Sequence, residues 1–176
     1  MRTFSLLKGM PVYSRNGELL GEVCDICIGE EGKVTDLLLQ VKGIIGKKLR
    51  LPVSSISSYG EDGIMVEDLD RHSKYQETEG EYTMHHGQSL SRKAAMTPDG
   101  EQLGLLDDVY FLEKEGKIVG YELTDGFFSD ITEGKRVIRT LEPPNIGKDA
   151  IILSAMNQRG GQIHDEMPEL SKQGPW

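Results

Sequence analysis

The chain is 176 residues long, with 37% hydrophobic and 28% charged residues, and its 20 Lys and Arg against 29 Asp and Glu leave a net charge of −9. That length bounds it at one ordinary domain or two small ones, and the acidity argues against direct nucleic-acid binding, which draws on clustered Lys and Arg. No apolar run approaches the ~20 residues of a membrane span, the start Met1-Arg2-Thr3-Phe4-Ser5-Leu6-Leu7-Lys8 lacks the apolar core of a secretion signal, and two cysteines are too few for a disulfide scaffold, so a cytoplasmic protein is expected.

In chain order, Asn16-Gly17 is a strong hairpin signal, because both residues tolerate positive φ. The strand after it, 20–28, has an alternation that slips: Val23 is apolar, then Ile26 and Ile28. A β-bulge near Asp25 would return both sets to one core. Asp25 itself is expected to bond backbone N–H groups freed there. Gly29-Glu30-Glu31-Gly32 turns the chain into a strand in which Thr35, Leu37, Leu39 and Val41 alternate. Leu49-Arg50-Leu51-Pro52-Val53 is a further strand, with Pro52 marking an edge or an end. Ile64-Met65-Val66, after the Glu61-Asp62-Gly63 turn, closes the set. No long amphipathic helix is evident; 52–58 and 128–134 are one-turn candidates.

The pattern then repeats. Asn16-Gly17-Glu18-Leu19-Leu20-Gly21 reappears as Asp99-Gly100-Glu101-Gln102-Leu103-Gly104, Asp25 as Asp108, Gly32-Lys33-Val34 as Gly116-Lys117-Ile118, and Ile64-Met65-Val66 as Ile151-Ile152-Leu153. Leu7 matches Leu90, and Val119, Tyr121 and Leu123 form the matching alternating strand. This is a tandem duplication of a unit of roughly 70 residues, near the lower limit of independent folding. The boundaries read as a first unit over 1–70, a polar linker over 71–83, a second unit over 84–156 and a tail over 157–176. Five or six short strands per unit with Gly-rich turns define an all-β fold. The expected arrangement is two tandem small antiparallel β-barrels related by approximate two-fold symmetry.

The opening Gly9-Met10-Pro11-Val12-Tyr13, the run Asn16 to Val23, Asp25, the Gly32-Lys33-Val34 turn and Leu51-Pro52-Val53 ahead of Ile56 together resemble the PRC-barrel family. The resemblance covers 5–67 well and 88–154 less well. In the second copy Leu-Pro-Val becomes Thr140-Leu141-Glu142-Pro143-Pro144, and Gly9-Met10 becomes Arg92-Lys93. The two-copy form is similar to tandem proteins of spore-forming bacteria. The resemblance implies a bacterial β-barrel adaptor that docks onto a larger protein or ribonucleoprotein, with no catalytic residues and no cofactor to carry over. It also offers an alternative, a ribosome-assembly factor binding a ribosomal protein, as the barrel domain of the ribosome maturation factor suggests. That factor has a separate N-terminal domain that finds no counterpart here. A small-molecule or metal sensor using the groove between barrels is a third reading, and a homodimer is open.

Several motifs carry possible chemistry. Cys24-Asp25-Ile26-Cys27 has C-x-x-C spacing, but it lies in a predicted strand rather than at a helix start, and the second copy has Asp107 and Tyr110 there, so ordinary thiols are expected. A four-thiolate zinc site within one chain is excluded, because there is no second C-x-x-C. His85-His86, with Glu79 and Glu81 near, could bind a metal or simply sit in a solvated linker; His72 and His164 look incidental. The clusters Glu30-Glu31, Glu67-Asp68 with Asp70, and Asp107-Asp108 lack calcium-loop spacing and read as turns and solvated faces. Neither Gly-x-Ser-x-Gly nor a P-loop is present, and Gly43–Gly46 and Gly160-Gly161 are too short to cradle phosphate. Two apolar pairs remain, Ile44-Ile45 and Phe127-Phe128, in the corresponding connection of each copy. Either they are buried in the core or against the facing repeat, or they form a protein-binding site.

Overall fold

The computed structural model describes residues 1–67, 72–125 and 135–154. Its elements are β1 (Arg2–Thr3), α1 (Phe4–Leu7), β2 (Pro11–Ser14), β3 (Leu19–Gly29), β4 (Lys33–Gln40), β5 (Lys48–Pro52), a 3-10 turn (Val53–Ser55), β6 (Ile56–Tyr59) and β7 (Ile64–Val66). They continue with β8 (Ser73–Lys74), β9 (Glu81–Thr83), β10 (Ala94–Met96), β11 (Gln102–Phe111), β12 (Ile118–Thr124), β13 (Arg136–Arg139), β14 (Asn145–Ile146) and β15 (Ala150–Ile152). Among the described residues the fold is mostly β, with one short α-helix.

The two hairpin signals form equivalent turns. Gly17 and Gly100 adopt φ of +80° and +89°. The N–H of Ser14 donates to Glu18 O and that of Thr97 to Glu101 O. The bulges fall where the apolar slip placed them, with register shifts between Val23 and Asp25 on β3 and between Leu106 and Asp108 on β11. As a result Val23, Ile26 and Ile28 share one core with Leu106, Val109 and Phe111. β5 ends at Pro52, and the 3-10 turn follows inside the expected one-turn segment 52–58; the other candidate, 128–134, lies outside the described residues.

One sheet runs β6-β7-β2-β3-β4-β5-β8, with β9 also on β3; the other runs β13-β12-β11-β10-β15-β14, with β1 also on β11. Among the described residues each hydrogen-bonded path is open, ending at β6 and β8 or at β13 and β14. The sheets are also not purely antiparallel, which corrects the expectation. β2 pairs with β7, and β10 with β15, in parallel. In each unit the last strand returns across the whole unit to lie beside the first, and a connection of that length permits the parallel direction that a tight turn forbids.

The segment expected as a linker is partly built into the sheets. β8 pairs with β5, and β9 pairs with the far half of β3 as Cys27↔Thr83 and Ile28↔Tyr82. β1 does the reciprocal thing on the far half of β11, as Thr3↔Tyr110 and Arg2↔Phe111. So the strand that leads into each unit is donated to the sheet of the other. The tips of the β3–β4 and β11–β12 hairpins also bond each other: Val34 N–H donates to Gly116 O at 2.8 Å and Ile118 N–H to Gly32 O at 3.1 Å, around a Lys33↔Lys117 bridge. One apolar cluster runs through both units, from Phe4 and Leu7 to Met84 and Leu90.

Both crossings are fastened by the bulge aspartates. Asp25 is fully buried and accepts from the N–H groups of Ile26, Met84, His85 and His86 at 2.9–3.0 Å. Asp108 accepts from Val109 at 2.7 Å and, from the other unit, Phe4 at 3.0 Å and Ser5 at 3.1 Å. The last two are orphan donors of α1, whose cap, Thr3, accepts from Leu6 N–H. Such donors need a partner when buried. The carboxylate that supplies it, Asp108, lies a whole repeat away, so this part of the helix's support has no local signature.

Candidate interaction surface

Between β4 and β5 the chain makes two tight bends at Gly43 and Gly46, each at φ +78°. Gln40 fixes them: its Nε2 donates to Ile44 O at 3.0 Å, Lys47 O at 3.2 Å and Val41 O at 3.4 Å. The loop therefore has its own scaffold and holds its apex without burying it. Ile45 is fully exposed (103%) and Ile44 half exposed (49%). Burial, the first of the two readings of this apolar pair, fails for the isoleucines. Phe127 and Phe128 lie outside the described residues. What the sequence reading passed over is the setting of the isoleucines. Lys42 and Lys47 are exposed beside them and Lys48 opens β5; the flanking lysines were legible in the run Lys42 to Lys48, whereas the Gln40 clamp was not.

The cysteines behave as buried thiols. Burial pushes the Cys27 thiol up to about 12, with Glu81 adding to the shift and Arg50 opposing it. Cys24 is raised too, by burial first, against the pull of Lys48. Neither is poised as a nucleophile or metal thiolate, which need a lowered pKa. Cys27, Asp36 and Glu81 do converge within 4.8 Å. A cation already sits among them, however: Arg50 pairs with Glu81, donates to Cys27 Sγ at 3.5 Å and lies over the Tyr75 ring at 5.7 Å. Arg50 balances the acids in place of a metal. In the second unit the register puts Tyr110, Gly120, Val137 and Met1 where Cys27, Asp36, Arg50 and Glu81 stand. That exchange leaves an apolar cavity of about 300 Å³, rimmed by Arg139.

The His85-His86 pair is anchored to the fold, although His85 stays exposed. His85 packs on Phe4, ring centroids 5.3 Å apart, and His86 Nδ1 lies 2.5 Å from Asp25 Oδ2. The two rings face different partners and do not converge on one ion. Of the acidic clusters, Asp107 and Glu122 share Lys135 at 2.7 and 3.1 Å, and Glu67 pairs with Arg15 at 2.9 Å; Asp108 serves the backbone as described, while Asp68 and Asp70 lie outside the described residues. The groove between units, bounded by Gly32 on one side and Tyr121 and Pro144 on the other, holds about 160 Å³.

The molecule is a duplicated small β unit in which Asp25 and Asp108 hold backbone donors and the Ile44–Ile45 loop is exposed. A family model described as the PRC-barrel domain matches residues 1–72 and again 83–159, and the chain belongs to that family. It is 33% identical over 157 residues, 88% of either chain, to a protein of Bacillus subtilis (strain 168) called uncharacterized protein YrrD. The similarity spans both units, so the tandem arrangement is shared with that relative. No helix among the described residues is long and apolar enough to cross a membrane.

Proposed function

We propose that this PRC-barrel protein is a non-catalytic interaction module, two small barrels in approximate two-fold relation that present the connection after the fourth strand of each unit as contact points. The observation that carries the reading is the Ile44–Ile45 apex. Two large apolar side chains are held side by side in water by a loop rigidified by Gln40, and an exposed apolar patch of this kind marks a contact site. The absence of catalysis is supported by the use of Asp25 and Asp108 as backbone acceptors and by thiols whose protons are held by burial. An adaptor with one contact per unit needs the two units locked together, and the exchanged strands supply that rigidity.

The test is affinity capture from a bacterial lysate with the full chain, against Ile45→Asp and Phe127→Asp. Ile45 touches no core, so Ile45→Asp is expected to melt like the wild type while losing a recurrent partner. An unchanged set of captured proteins and lipids with both variants would refute the reading.

A further inference from the structure

We propose that loop 41–48 docks the protein on an anionic lipid surface, with Ile44 and Ile45 entering below the headgroups and Lys42, Lys47 and Lys48 lying among the phosphates. This rests on the reading of the loop as a contact point and names what it contacts. The chain carries 29 acids, yet none falls between Leu37 and Gly60, a stretch that holds Lys42, Lys47, Lys48 and Arg50. Lys74, opposite Leu49 in register, extends the basic side, and Lys8 acts electrostatically on the same Cys24 thiol as Lys48. None of these five lysines has an ion-pair partner among the described residues, unlike Lys135, which has two.

A lipid surface fits this arrangement better than a protein cleft. Two side chains at a convex apex offer far less area than the ~800 Å² per partner of a standard protein interface. A bilayer asks for no matching shape, only apolar depth and phosphate-level cations. The loop is already ordered by Gln40, so insertion pays little in chain entropy. The remaining charge of the molecule is strongly negative and is repelled by the same surface, which favours approach by this basic face.

Sedimentation of the full chain with vesicles tests it, using phosphatidylglycerol mixed with phosphatidylcholine against phosphatidylcholine alone. Wild type should pellet with the anionic vesicles only, and raising salt to about 0.5 M should release it. Lys42→Gln/Lys47→Gln/Lys48→Gln should weaken binding about 100-fold, roughly fivefold per lysine. Ile44→Ser/Ile45→Ser should weaken it at least about tenfold. If the triple variant melts early, the double Lys42→Gln/Lys47→Gln, at two exposed sites, carries the same test at about 25-fold. No pelleting with either vesicle, equal pelleting with both, or wild-type binding by the serine variant overturns the proposal. A captured acidic protein that is lost with the glutamine variant, while vesicles bring down nothing, also overturns it and assigns the lysines to that protein. Sedimentation and affinity capture fail independently, so a lipid that does not bind leaves the interaction reading standing on its own test.

Discussion

A single carboxylate sets the stability of each crossing. Asp25 receives four backbone donors and the His86 ring with no exposure at all, so Asp25→Ala strands several buried N–H groups at once. Hydrogen bonds to charged groups are worth about 1.5–3 kcal/mol each, with losses that overlap, and the expected cost is about 3–5 kcal/mol. Asp108→Ala should cost less, since it serves three donors. Urea midpoints rank the two, and equal losses would contradict the count of donors. Arg92 is the opposite case. Among the described residues it is the non-glycine residue at positive φ (+67°), in the place that Gly9 takes in the first unit at +83°. Both N–H groups make the same bond, Gly9 to Val23 O and Arg92 to Leu106 O. A side chain there costs about 1–2 kcal/mol, so Arg92→Gly should raise the unfolding free energy by about 1 kcal/mol, read as a higher urea midpoint with an unchanged slope. The Cys27 thiol adds a pH signature. Its pKa is raised on folding to about 12, so the unfolded chain loses this proton first. Its contribution is complete below the ordinary thiol range and falls as pH climbs from about 9 toward 12. Cys27→Ala should flatten part of the decline in urea midpoint between about pH 8 and 10, before tyrosine titration enters.

Elements that obey local rules were readable, and those that depend on the other repeat were not. The Asn16-Gly17 and Asp99-Gly100 turns, the β3 strand and its bulge, and the stop at Pro52 all follow from neighbouring residues. The parallel pairs join strands at opposite ends of one unit, and the donated strands β1 and β9 and the Asp108 bonds to α1 depend on the other unit, so neighbouring residues carry no sign of either. The alternation of Leu37 and Leu39 also hid Leu38, which is fully buried outside the shared cluster. At the candidate surface the apolar pair was visible in sequence, but its exposure hangs on the Gln40 clamp. The crossed hairpin tips give a contrast that tests this long-range layer. Gly116 sits at φ +69°, and a Cβ there would meet Val34 O at 2.0 Å; Gly100, at φ +89°, has nothing within 4 Å. Gly100→Ala should cost about 1 kcal/mol of backbone strain, or 2–4 °C in a chain of this size. Gly116→Ala must also push the first unit's backbone away and should lower Tm at least twice as far. Similar shifts for the two would mean that the Val34–Gly116 bond holds nothing.

At the scale of the whole molecule, exchange makes each half incomplete. A fragment ending near residue 78 keeps β3 but lacks β9, so Cys27 and Ile28 lose their partner strand and Asp25 loses three of its backbone donors. Its own β1 and α1 have nowhere to dock, because β11 and Asp108 are gone. The matching register offers one remedy. Thr3 pairs with Tyr110 as Thr83 pairs with Cys27, and Phe4 and Ser5 meet Asp108 as Met84 and His85 meet Asp25. Two copies of the first unit can therefore exchange β1 strands, each placing Phe4 and Ser5 N–H groups on the Asp25 of the other. The isolated fragment is expected to be unfolded at low concentration and a folded homodimer at high concentration, since its stability is tied to association. The intact chain, with both donors on one polymer, should unfold in one concentration-independent transition. Sedimentation equilibrium with circular dichroism over a dilution series separates the outcomes. A folded monomeric fragment would show that the exchanged strands are decoration on self-sufficient units, and two separate transitions in the intact chain would show the same.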